Sequence, residues 1–296
     1  MAQWSKVAVN PLPWVMDSGA FILNEETLGQ AMKELSDAGF NALHSDPPQG
    51  MSPEAYRAFL AQFGFRPAPG YFSAELHSLE TRPEVIDAAR AHARMIAELG
   101  LTETFVAADI DFPRLIRPAI GRGGSPERTK VIAETLALAA DAAAAEGVRF
   151  ALHPHIATPI ETEEETRQVL DETAGSALGF GPDTGHLEWA GMVSEQIIGD
   201  YSDRVIAVHL KDVDGAAKEI ATRYTDDFMS ATAVRHIWTE PGRGKINFNA
   251  VFDALPASFN GWFVVEVDVP NLDTAFASSK ESHDYLARHP RFEVAA

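Results

Sequence analysis

Four apolar runs in the second half of the chain each end in residues able to bind a metal or move a proton. Arg149-Phe150-Ala151-Leu152 leads into His153-Pro154-His155, and Gly179-Phe180-Gly181-Pro182 into Asp183. Val205-Ile206-Ala207-Val208 leads into His209-Leu210-Lys211-Asp212, and Trp262-Phe263-Val264-Val265 into Glu266-Val267-Asp268. Imidazole nitrogens and carboxylate oxygens make a hard-to-borderline donor set, suited to Mn²⁺, Co²⁺, Zn²⁺ or Mg²⁺, of which Mn²⁺ or Co²⁺ is preferred here. Side chains two apart on a strand share a face, so His153 and His155 point together, as do His209 and Lys211, and Glu266 and Asp268. Asp183 shares its face with Gly181 and Gly179, which are expected to leave space there. A single His or Asp at a strand end is as readily a cap or a surface residue. Four such ends together are a candidate site for acid–base chemistry around a metal.

Residues this far apart in sequence meet only if the runs are neighbouring strands. A parallel strand covered on both faces reads as a continuous apolar run, and such folds place chemistry at its carboxyl end. The first half supplies four more candidates: Lys6 to Trp14, stopped by Pro11 and Pro13; Phe40 to Leu43, with His44, Ser45 and Asp46 at its end; Phe65 to Phe72, broken by Pro67, Pro69 and Gly70; and Thr104 to Ile110. Helices alternate with them. Asn24 caps one that Gly39 ends, Ser52-Pro53-Glu54 and Thr81-Arg82-Pro83-Glu84 open two others, and Ser125-Pro126-Glu127 opens an Ala-rich one. Eight strands alternating with helices, without a linker or low-complexity break, predict one (β/α)8 TIM barrel over residues 1–296. An open doubly wound sheet is the runner-up, but no glycine fingerprint follows the first strand. The segment 214–247 between the seventh and eighth strands exceeds an ordinary connection and is expected as a functional loop or lid.

Composition narrows the function. The chain has 296 residues, 46% of them hydrophobic, no cysteine and a formal charge of −19. Without cysteine there is neither a disulfide framework nor a thiolate ligand, which suits a reducing cytoplasm. No signal pattern opens the chain and no apolar run reaches the ~18 residues of a membrane span. The negative charge argues against nucleic acid, whose binding needs Lys and Arg. A small neutral substrate, or one held by a metal, fits better, with a homo-oligomer or hetero-subunit left open.

Secondary candidates surround these ends. His155 and Glu161 are candidate acid/base groups, with Lys211 and a doubly employed Glu266. The acidic neighbours Glu163, Glu164 and Glu165 are more simply first-turn charges of a helix. His186, three residues after Asp183, is a substrate contact. Trp14 and Arg243 could line the substrate, Arg243 as a clamp on the long loop; Trp189 reads as packing. His92, His236, His283 and His289 receive no role.

The order Ala151-Leu152-His153-Pro154-His155, Asp183-Thr184-Gly185-His186, His209-Leu210-Lys211-Asp212 and Val265-Glu266 resembles the xylose-isomerase-like barrels. Within them it is similar to the sugar isomerase/epimerase group that contains inosose dehydratases and ketose 3-epimerases. The resemblance implies a divalent metal held by Asp183, His209, Glu266 and a residue of the fifth strand. Many members carry Glu where this chain has His153, so either His153 is the fourth ligand or Glu161 swings in. His-x-His at this place also occurs in inosose-dehydratase-like and keto-sugar lyase members. The expectation is therefore a lyase acting on a keto-cyclitol or keto-sugar, by proton abstraction and β-elimination through an enediolate. A ketose 3-epimerase is the alternative, and a non-catalytic sugar-binding or partner subunit a second. Endonuclease IV shares the architecture, but the charge argues against it.

Overall fold

A computed structural model describes residues 6–17 and 20–292. Among these, eight parallel barrel strands appear: β1 (Val7–Val9), β2 (Ala42–His44), β3 in two pieces (Arg66–Ala68 and Tyr71–Ala74), β4 (Glu103–Ala108), β5 (Arg149–Leu152), β6 (Gly179–Phe180), β7 (Ala207–Leu210) and β8 (Trp262–Val265). Hydrogen bonding runs β7-β8-β1-β2 to the first piece of β3, and from its second piece through β4 and β5 to β6. Parallel bridges Phe180↔Val205 and Asp183↔His209 join β6 to β7 and close the ring. The expected (β/α)8 barrel is the observed fold.

The third strand looked poor because it is broken. At Gly70 a Cβ would lie 2.1 Å from the Ser45 carbonyl oxygen, so only glycine lets the two backbones approach. The Gly70 carbonyl still accepts the Phe105 N–H at 2.9 Å, and the ladder passes on to β4. The first strand is shorter than expected. Leu12–Val15 is a single helical turn with proline in its opening residues, where a missing N–H leaves nothing unpaired.

Eight helices back the strands: α1 (Glu25–Ala38), α2 (Pro53–Gln62), α3 (Arg82–Glu98), α4 (Pro126–Ala144), α5 (Glu163–Glu172), α6 (Ser194–Asp200), α7 (Phe248–Ala254) and α8 (Ala275–Ala287). The main core lies between barrel and helices and inside the barrel, where Val9, Leu43, Phe105, Phe150 and Val208 are buried. Asn24 caps α1 through the Glu26 and Thr27 N–H groups. Ser52, Ser125 and Thr162 cap α2, α4 and α5 in the same way.

The segment between β7 and β8 is folded rather than loose. Asp212–Val213 pairs antiparallel with Trp238–Thr239, and the Asp214 carboxylate caps a helix over Gly215–Tyr224. Val213, Ala217, Ala231, Ile237 and Trp238 form a second, smaller apolar cluster that also takes in Ile156, Trp189 and Val267. The insertion is thus packed against the loops that follow β5, β6 and β8.

Candidate metal centre and active site

Asp183 ends β6 and starts the short helix Thr184–Trp189. Its Oδ1 accepts the Gly185 N–H at 2.8 Å and the His186 N–H at 3.0 Å. Both bonds fix the carboxylate, while Oδ2 is buried with no hydrogen-bond partner among the described residues. Neither ring nitrogen of His209, on β7, has a hydrogen-bond partner among the described residues, nor does Nδ1 of His153, after β5. His209 Nδ1 lies 3.6 Å from Asp183 Oδ2 and 3.4 Å from Glu266 Oε2. Ligand atoms of His153, Asp183 and His209 all lie within 4.8 Å of one another, as do those of Asp183, His186 and Glu266 and those of His153, His155 and His186.

The His209 ring is held from below. Phe105 of β4 packs against it with centroids 3.9 Å apart. Phe105 finds room because Gly181 carries no side chain: a Cβ there would come within 2.8 Å of the ring. At Gly179 a Cβ would meet Ile206 at 2.8 Å. The glycines before Asp183 therefore do not leave space for a ligand; neighbouring side chains fill it, and one of them seats a candidate metal ligand.

Lys211 is fully buried beside this group. Its Nζ donates to Glu266 Oε1 at 2.7 Å and to both Asp268 oxygens at 3.0 Å. It lies 3.4 Å from Asp183 Oδ2 and 4.8 Å from the centroid of the Trp238 ring. Burial alone would strip its proton, but Asp183, Asp268 and Glu266 outweigh that and hold it charged, above the ordinary lysine range. Burial pushes Asp183 and Glu266 the other way. Lys211, His209 and His153 together outweigh it at Asp183, and His209, Lys211, His153 and His44 do so at Glu266, so both carboxyls stay below their usual values. Asp268, buried and beside Glu266, is pushed up to about 6 despite Lys211. Burial drives the imidazoles toward neutrality. His153 and His186 are held well below 6.5, the first by burial and His209, the second by burial and His155. Burial and Lys211 lower His155 to about 4. Neutral His153 and His186 beside ionised Asp183 and Glu266 are protonation states that suit a divalent cation.

A buried polar atom without a partner is rare and needs a reason. Here such atoms converge from three strand ends, and their types match a borderline divalent ion. The residues fit a metal.

The other expected site residues divide. His155 stacks on His186, centroids 3.8 Å apart, and its Nδ1 lies 2.5 Å from the Ile156 carbonyl oxygen. That contact needs a proton on Nδ1, leaving a lone pair on Nε2. His186 Nδ1 accepts the Ile156 N–H at 3.3 Å. Glu161 is turned elsewhere: its carboxylate accepts the N–H groups of Ala119 and Ala157 at 2.9 Å and of Gly121 at 3.0 Å. It lies 3.7 Å from Arg114, which makes a bidentate pair with Glu165 at 2.6 and 2.8 Å. Glu161 thereby ties the loop after β4 to the loop after β5. Trp14 packs half-buried against the main core. Arg243 is half exposed, 3.5 Å from Glu240.

Several members of the site carried no role in the sequence reading. Asn10, at the end of β1, donates to Glu266 Oε2 at 2.6 Å and orients that carboxylate. Its position at a strand end was the available signal. Trp238 comes from a two-residue strand in the insertion, too short for any periodicity. Asp212 accepts the N–H groups of Gly242, Gly244 and Ile246 at 2.9–3.1 Å. Glu240 accepts those of Asn271 and Leu272 at 3.2 and 3.3 Å. Asp212 thus ties the insertion to its own start, and Glu240 ties it to the segment that follows Asp268.

Residues 32–289 match the family described as "Xylose isomerase-like TIM barrel". The chain is 28% identical over 292 residues to an inosose dehydratase of Geobacillus thermodenitrificans, covering 95% of this chain and 96% of that protein. Its fold is similar to that of the probable 3-DHS dehydratase AsbF of Bacillus anthracis, with a TM-score of 0.71 at 11% identity, covering 96% and 99% of the two chains. It is also similar to that of the IOLI protein with a binding zinc atom, with a TM-score of 0.68 at 16% identity, covering 95% and 96%.

Proposed function

Because this chain belongs to the xylose isomerase-like TIM barrel family, we propose that it is a divalent-metal-dependent lyase that removes water from a keto-cyclitol or a related keto-sugar. The observation that carries the reading is the convergence, beside Glu266, of His153 Nδ1, Asp183 Oδ2 and the His209 nitrogens, none of which has a hydrogen-bond partner among the described residues. The similarity to an inosose dehydratase along nearly the whole chain supports the substrate class. Asp183, His209, Glu266 and His153 would hold the ion. When bound, it polarises a ketone and the adjacent hydroxyl and acidifies the neighbouring C–H.

The chain's own groups move the protons. His155 is only partly buried, neutral at physiological pH, and presents a lone pair on Nε2 because Nδ1 faces the Ile156 carbonyl. It takes the proton beside the ketone. Lys211 Nζ, charged among three carboxylates, donates a proton to the departing hydroxyl, which leaves as water. Asp268 accepts two of the hydrogen bonds of the ammonium group and fixes its direction. His186 and Trp238 pack directly against the Lys211 ammonium group. Zinc in the related IOLI protein supports a divalent ion here. The choice among Mn²⁺, Co²⁺, Zn²⁺ and Mg²⁺ is an analytical question.

The test is turnover of a 2-keto-inositol or 3-keto-glycoside by the wild type and by His155→Ala, with the product identified. An unsaturated product, lost in the variant at unchanged metal content, is expected. A product that is only the C-epimer would replace this reading with the ketose 3-epimerase one, and unchanged turnover in the variant would remove His155 from the chemistry.

A further inference from the structure

A second cluster lies at the ends of β1 and β2, across the barrel mouth from Lys211. Asn10, His44 and Asp46 form the polar side of a small cleft of about 10 Å³, room for one hydroxyl or water, and Val15, Phe21 and Leu23 form its apolar side. His44 is buried, 3% exposed, yet its Nδ1 has no hydrogen-bond partner among the described residues. The cleft abuts the candidate metal centre. The His44 ring is 5.8 Å from the His209 ring, and Asn10 spends its amide donor on Glu266 at 2.6 Å. At the rim Phe21 is 55% and Ile22 41% exposed, an apolar lip beside a polar floor of the kind that marks a ligand groove.

We propose that His44 and Asp46, with Phe21 at the rim, form a hydroxyl-reading subsite that takes one hydroxyl of a polyhydroxylated ring, remote from the metal, while the ring itself lies outside against Phe21. The inference rests on the function proposed above and names what in the substrate is recognised. A saturated polyol ring has donors and acceptors around its edge and C–H bonds on its faces. The unpaired His44 Nδ1 and the Asp46 carboxyl match the edge, and Phe21 matches a face. An anionic ligand is disfavoured, because Asp46 and Glu266 both lie on this side and no Lys or Arg among the described residues lines the cleft. A lone cation is disfavoured as well, because Asp46 is the single carboxylate of the lining among the described residues. Burial and the nearby Glu266 raise the Asp46 carboxyl to about 7, so it can donate to a hydroxyl as well as accept. An unpaired buried nitrogen such as His44 Nδ1 costs free energy that a ligand hydroxyl recovers.

The test compares wild type, His44→Gln, Asp46→Asn and Phe21→Ala on a 2-keto-inositol and on analogues lacking one ring hydroxyl at a time. Melting temperatures and metal content of each variant are recorded. The expected result is at least a tenfold fall in kcat/KM on the full polyol, carried mainly by KM. On the one analogue that lacks the hydroxyl in question, His44→Gln and Asp46→Asn fall little. Equal losses on every analogue, or an unchanged KM, would overturn the subsite and leave the proposed function standing. If His44→Gln does not fold, Asp46→Asn decides. If the wild type turns over no keto-cyclitol, the function proposed above fails, and calorimetric titration with inositol, which has no ketone, decides the subsite separately. Binding weakened tenfold by Asp46→Asn supports the subsite; equal affinity, or none in the wild type, overturns it.

Discussion

The Thr184 hydroxyl donates to the Lys211 carbonyl oxygen at 2.7 Å and accepts the Lys211 N–H at 3.1 Å. One side chain thus replaces two rungs of backbone pairing, at the point where β6 has already ended and β7 must still carry Lys211 to the centre. Thr184→Val keeps the shape and leaves both buried Lys211 groups unpaired. It should lower stability by about 1–3 kcal/mol, read as a shift of the urea midpoint, whereas Thr184→Ser should retain most of it. Equal stability of Thr184→Val and wild type would show that the clamp contributes nothing.

Asp183 has two separable jobs, one per oxygen. Oδ1 caps the Thr184–Trp189 helix and Oδ2 is the candidate ligand. Asp183→Asn should keep the cap and lose the metal; Asp183→Ala should lose both and be about 1 kcal/mol less stable than Asp183→Asn. Chelation of the wild type should abolish turnover. It should also lower the melting temperature, by the equivalent of about 2.7 kcal/mol where the free ion stood at a hundred times its dissociation constant. Elemental analysis and melting curves of the three proteins check this; full metal retention by Asp183→Asn would exclude Asp183 as a ligand.

Glu161 is the residue on which position in sequence and position in space point to different roles. Held by three backbone N–H groups and near Arg114, it is expected to act as a loop anchor. Glu161→Gln should lower the melting temperature with kcat little changed. Glu165→Gln, which leaves the buried Arg114 without its bidentate partner, should cost about 3–5 kcal/mol. If Glu161→Gln lost turnover at an unchanged melting temperature, Glu161 would belong to the chemistry.

His92 lies far from the candidate ligands, against Phe72 and Phe150, with its Nε2 3.2 Å from the Thr104 hydroxyl. Burial lowers it from 6.5 to about 4. Between those values the unfolded chain binds a proton that the folded protein refuses, so stability falls as pH falls from about 6.5 toward 4. The limiting slope from this group is about 1.4 kcal/mol per pH unit. His92→Gln should flatten the dependence of the urea midpoint on pH in that window; an unchanged slope would assign the acid sensitivity to other groups.

Much of the barrel was legible because parallel strands covered on both faces leave apolar runs that stop at a polar residue. His153, Asp183, His209 and Glu266 stood out by that rule, and the structure places them together. The rule failed where local backbone chemistry intervened. Pro11 and Pro13 read as the stop of a strand, but proline also suits the first turn of a helix, and Leu12–Val15 took that form. Pro69 and Gly70 weakened the signal of β3 because they mark a real break, forced by the Ser45 carbonyl. Gly179 and Gly181 read as space, whereas their neighbours Ile206 and Phe105 occupy it. Trp238 and Glu240 could not be found at all, because a two-residue strand has no period and their partners are distant in sequence, Leu272 for Glu240 and His186 for Trp238.

The Asn10–Glu266 hydrogen bond spans 256 residues of chain. It joins the first barrel strand to the last and orients a candidate ligand in the same contact. During synthesis at about 5–20 residues per second, the β1 end is on hand some ten to fifty seconds before its partner exists. The centre therefore cannot mature piecemeal while the chain grows. Competence to capture an ion should appear in one late step, with the sealing of the ring, and in a refolding experiment the metal signal would report that closure rather than the earlier gain of helix.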